Sequence, residues 1–131
     1  MEIKIKNNIL DSLNFEKNHN LIGKIREKSL EIMTQASIGL SEDFKMEENK
    51  LNIAKVICVV TSEDEGENIF KLTIERLLEF TYTLENQEEK KDIYLKKIVE
   101  ILSKNILDGV LIQAQQILKD AGLGDINLKS N

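Results

Sequence analysis

The sequence predicts an α+β domain, a four-stranded antiparallel sheet followed by one long C-terminal helix, spanning residues 1–131 as a single unit. Two observations carry this. From Ile69 to Leu84, Phe70, Leu72, Ile74, Leu78, Phe80, Tyr82 and Leu84 fall on every second position, broken only by Arg76. A period of two held over about fifteen residues marks a strand with one buried and one wet face. From Asp92 onward the period changes: apolar residues recur at 94, 98, 101, 102, 106, 107, 110, 111, 114, 117, 118 and 121, which is helical spacing. Consecutive strands with short polar links form an antiparallel sheet, and a helix segregated to one end of the chain makes the class α+β.

The elements follow in order. Ile9, Asp11, Leu13 and Phe15 alternate with Leu10, Ser12, Asn14 and Glu16 and predict a short first strand. Leu30, Ile32, Thr34, Ala36, Ile38 and Leu40 predict a second, while residues 21–29 fit a helical turn or a loop. Ser41 to Lys50 is polar and acidic and reads as a turn. Leu51, Ile53 and the run Val56 to Val60 predict a third strand, rich in β-branched residues. The apolar phase slips between Ile53 and Val56, so a bulge is expected there. Ser62 to Asn68, with Gly66, suits a hairpin into the long strand. Asn86 and Glu89 are spaced as a capping box before the helix, and Gly122 and Gly124 end it. Roughly 35 residues at about 1.5 Å each would reach about 50 Å, so a kink at Gly109 or a protruding helix is expected.

Composition excludes several classes. The 131-residue chain has 41% hydrophobic and 31% charged residues, as an ordinary globule does. A net charge of −5 disfavours phosphate backbones, so nucleic acid is not an expected partner. One cysteine makes no internal disulfide and fits a reducing compartment. No segment has the roughly 18 apolar residues of a membrane span, and Met1 to Lys6 lacks the apolar run of a signal peptide. The expectation is a soluble cytoplasmic protein that does not insert into membranes.

No catalytic, metal or cofactor constellation can be assembled. His19 stands alone in a polar segment, and Cys58 lies in the most apolar run, where a free thiol packs rather than reacts. The glycines at 122 and 124 follow a helix, whereas phosphate loops precede one. Arg76 stands out because it interrupts the apolar face of the longest strand. Either its aliphatic stem packs while its head reaches water, or it makes an ion pair across an oligomer interface.

Three phrases resemble the SecB family of bacterial export chaperones. Asp11 to Glu16 resembles that family's first strand, which ends in a phenylalanine–glutamate pair. Val59 to Ser62, a turn, and Ile69-Phe70 leading to Phe80 resemble its central hairpin. Ile117 to Gly122 followed by Asp125 to Leu128 resembles its helix end and leucine–asparagine–leucine phrase. The ordered set covers roughly residues 9 to 129.

The resemblance implies an ATP-independent holdase without cofactors, a cytoplasmic homotetramer built as a dimer of dimers. It would bind unfolded polypeptides in apolar grooves, for protein export or for guarding an antitoxin. It places the client groove at Leu30, Ile32, Ala36, Leu107 and Leu111, and oligomer contacts at Leu72, Ile74 and Arg76. It places a partner-docking surface, where the family meets the export ATPase SecA, at Glu16, Lys71 and Thr73. Here the sequence departs from the family: Ser12 stands at an acidic position, and Lys71 and Thr73 replace a leucine and a glutamate. The alternative is a dedicated interaction or inhibitor protein of the same fold holding one partner. A small enzyme or lipid-binding cup is the third reading, and it rests on the chance of a cavity between sheet and helix.

Overall fold

The computed structural model describes residues 1–18, 32–42, 44, 47, 49–64, 66–83, 90–123 and 128. The chain forms β1 (Glu2–Lys17), β2 (Ile32–Leu40), β3 (Asn52–Asp64), β4 (Glu67–Thr83) and α1 (Lys91–Asp120). The four strands make one antiparallel sheet in the order β1-β4-β3-β2. Among the described residues both edges, β1 and β2, are therefore strands with one unpaired side.

The long alternating strand is β4, at the centre of the sheet. Its even-numbered residues from Phe70 to Tyr82 are buried, except half-buried Arg76. Those from Phe70 to Phe80 are each matched across the register by an even-numbered residue of β3, from Asn52 opposite Phe80 to Ser62 opposite Phe70. The expected bulge between Ile53 and Val56 is absent: pairing is continuous there, and the buried face runs Asn52, Ala54, Val56, Cys58, Val60, Ser62. Small Ala54 keeps the phase, while Ile53 points outward at 45% exposure. The one irregularity of this ladder lies between Ser62 and Glu63, next to the hairpin. That hairpin closes with Asp64 opposite Glu67, and Gly66 takes φ +83°, a left-handed conformation suited to glycine.

The first strand starts seven residues earlier than its alternation predicts, because Ile3 and Ile5 pair with Tyr82 and Phe80. Two register shifts, at Lys6 and at Asp11, leave one extra residue each on β1. Each shift flips the face. The helix side of β1 therefore reads Ile3, Ile5, Asn8, Leu10, Leu13, Phe15, while Ile9 faces the other way.

The helix is unbroken through Gly109, correcting the expected kink. Nor does it protrude, because it is docked from its first turn to its last. Tyr94, Ile98, Leu102, Ile106, Val110, Ala114 and Leu118 are buried at every fourth position, with Leu111 beside them. This is a single i±4 ridge laid on the sheet. A helix of about 45 Å finds room because strands of sixteen or seventeen residues reach about 55 Å. Lys90, not Asn86, is the N-cap, and it makes no side-chain capping bond. Glu89 and the segment before it lie outside the described residues.

At the other end, Gly122 has φ +86°, with Leu123 N donating to Leu118 O and Gly122 N to Lys119 O. This is a Schellman cap whose apolar contact is buried Leu123 near Leu118. Gly109 is exposed mid-helix, and a Cβ there would meet nothing within 4 Å. Gly109→Ala is therefore expected to raise the unfolding free energy by about 1 kcal/mol, read by urea denaturation.

Candidate binding surface

The helix lies mainly over β2, with β3 and β4 beside it. This closes the helix side of three strands and leaves much of β1 open. Ile3, Ile5 and Phe15 still pack partly against the core, and the Phe15 ring sits 6.3 Å from that of Phe70. Leu10 and Leu13 are each 43% exposed, although they sit opposite Arg76 and Ile74 on the core side. Folding thus leaves an apolar strip bare along a free sheet edge. An apolar side chain gains about 1.5–3 kcal/mol when fully covered, so the strip is able to hold a partner.

Next to Leu10 lies a cleft of about 280 Å³ between β1, β4 and the helix. Asn8, Arg76, Asn105 and Gln113 supply its polar lining, and Ile106, Gly109 and Val110 complete it. The Arg76 guanidinium donates from Nε to Asn8 Oδ1 at 2.7 Å and from Nη1 to Gln113 Oε1 at 3.0 Å. Its Nη2 donates to the Asn8 carbonyl at 3.3 Å. Arg76 therefore clamps β1, β4 and α1 together within one chain.

The opposite, outer face of the sheet is mixed. Glu16 stands opposite Lys71, and Glu75 is paired with Lys55 at 3.4 Å and accepts from Ser12 Oγ at 3.1 Å. Thr73 is half-buried and Lys71 exposed on this face. Lower down, Ile53, Ile57, Leu77 and Lys55 line an open apolar groove of about 500 Å³ that ends at Ser37 and Gly39. Ile9 extends the apolar surface from the far side of Leu77. Sequence reading missed this groove because it placed Ile53 inward and Ile9 with Leu13. Gly39 inside a strand pattern was the available signal.

The other residues singled out from sequence are now located. Leu72 and Ile74 are 0% exposed inside the core of their own chain, so they present no surface for oligomer contacts. The inner face of central β4, which carries both, is covered within the same protomer. Leu111 is likewise buried, at 4%. Ile32, Ala36 and Leu107 are half-buried on the β2 and helix side of the molecule. Leu30 and His19 lie outside the described residues.

Among the described residues no group of three or more His, Cys, Asp or Glu could hold a metal ion, and no helix is long and apolar enough to cross a membrane. Cys58 is 0% exposed, and loss of hydration pushes its thiol pKa up. The native chain is therefore expected to resist thiol reagents until it unfolds. The raised value means the folded state holds the thiol proton more tightly than the unfolded chain does. That contribution to stability is complete below about pH 8.5, the ordinary thiol value, and is lost as pH rises through the raised value. Labelling rates at pH 8 in buffer and in urea measure the protection.

No protein-family model and no curated protein sequence matches the chain. Its fold is that of a SecB-like chaperone: the chain is similar to one from Mycobacterium tuberculosis, solved in complex with a ChAD peptide from the HigA1 antitoxin. The TM-score is 0.70 at 10% identity, covering 97% of this chain and 86% of that one. It is also similar, at TM-score 0.47 and 12% identity over 98% of each chain, to a protein of unknown function from Streptococcus agalactiae.

Proposed function

We propose that this protein is an ATP-independent holdase that binds unfolded polypeptide segments, with the bare strip of Leu10 and Leu13 as its main contact. The observation that carries the reading is that strip: apolar side chains left uncovered along a free strand, on a fold shared with a chaperone. Several such contacts in a row hold a segment despite the cost of ordering it. No reaction chemistry is needed, and the protein acts in the cytoplasm without a cofactor, as a homotetramer.

Between the two client classes, the outer face favours a dedicated client such as an antitoxin over docking on the export ATPase. Of its acids, Glu16 stands opposite Lys71 and Glu75 pairs with Lys55, while Glu79 lies apart between Asn7 and Ile53, so acids and lysines are interspersed on this face. The outer groove at Ile53, Ile57 and Leu77 favours a second reading, in which one folded partner docks there.

Light scattering tests the proposal. Four chains of 15.0 kDa give a particle of about 60 kDa, and that particle suppresses aggregation of a chemically denatured model protein without ATP. A monomer with no effect on aggregation refutes the holdase.

A further inference from the structure

We propose that the Arg76 cleft is a carboxylate subsite, which receives an aspartate or glutamate side chain of a polypeptide laid across Leu10 and Leu13. The presence of that polypeptide rests on the holdase reading; the acid requirement is the new element.

Three observations point to it. First, Arg76 is a half-buried cation whose partners are all neutral, two side-chain amides and one carbonyl. Among the described residues no acid lines the cleft, in a chain whose net charge is −5. A cation left uncompensated in an acidic protein calls for a negative charge from outside. Second, a guanidinium has five N–H donors, and these bonds use three. One N–H remains on each terminal nitrogen, free to donate a charge-assisted bond to a carboxylate. The existing bonds fix the arginine in place, so binding costs little further ordering. Third, the cleft of about 280 Å³ has room for a side chain, and Gly109 keeps the way open. Its cross-strand neighbour is exposed Leu10. An apolar segment on Leu10 and Leu13 therefore brings an adjacent side chain over Arg76.

The test uses two dye-labelled apolar peptides, identical except for a single Glu or Gln, titrated with the whole protein and read by fluorescence anisotropy. Wild type is expected to bind the Glu peptide roughly tenfold more tightly at low salt, with the preference shrinking as salt is added. Gly109→Glu supplies the carboxylate in cis, on the helix face of Gln113 four residues on. Glutamate is a better helix former than glycine, so the fold is retained. This variant is expected to bind both peptides alike. Equal affinities on wild type overturn the subsite and leave the holdase standing. Binding of neither peptide overturns both. A tenfold preference that survives Gly109→Glu places the selectivity away from Arg76 and overturns the subsite.

Discussion

Ile74→Ala lowers the unfolding free energy by about 2–5 kcal/mol, by the same amount at every protein concentration. Ile74 is 0% exposed at the centre of β4, opposite Cys58 on one side and Leu13 on the other. Truncation removes buried methyl groups and leaves a cavity that central strands, paired on both sides, close poorly. Small domains hold only about 5–15 kcal/mol, so the variant loses a large fraction of its stability. The concentration clause separates the core from an interface. If Ile74 touched a second copy, its loss would weaken assembly, and wild-type and variant midpoints would diverge on dilution. Urea unfolding across a range of concentrations, with mass measured alongside, reads both. A lower mass in solution with unchanged stability of the isolated chain refutes the core placement.

Ile74 also shows what sequence patterning reports. A period of two on β4 establishes that one face is buried, and that face is buried. It does not say what covers the face, because the covering helix lies elsewhere in the chain. The helical ladder from Tyr94 to Leu118 and the Gly66 hairpin were legible for the same local reason. The first strand was not. Lys6 and Asp11 are ordinary residues, and their role as extra residues exists only in the register with β4. Without those two shifts Leu10 reads as a wet position and Ile9 as a core one, the reverse of what folding gives. Arg76 was legible as a break in the period. Its clamp was not, because Asn8 and Gln113 are 68 and 37 residues away.

The reversal of faces on β1 makes the binding strip separable from its own strand. Leu10→Thr with Leu13→Thr is expected to weaken client binding roughly ten- to hundredfold, with aggregation suppression falling in step. The estimate takes each half-exposed leucine as contributing about 1 kcal/mol or somewhat more to a covered client. Threonine suits a strand, so pairing with β4 is kept and stability changes little. Ile9→Thr is the matched control. Ile9 is 49% exposed, as open as the two leucines, but it lies on the outer face beyond the first-strand shift at Asp11. If general surface hydrophobicity held the client, the control would lose activity alongside the double variant. If the helix-side strip of β1 holds it, Ile9→Thr retains full activity. Full activity of the double variant refutes the strip. The face of one strand, set by a single extra residue, then decides where this chain meets an unfolded partner.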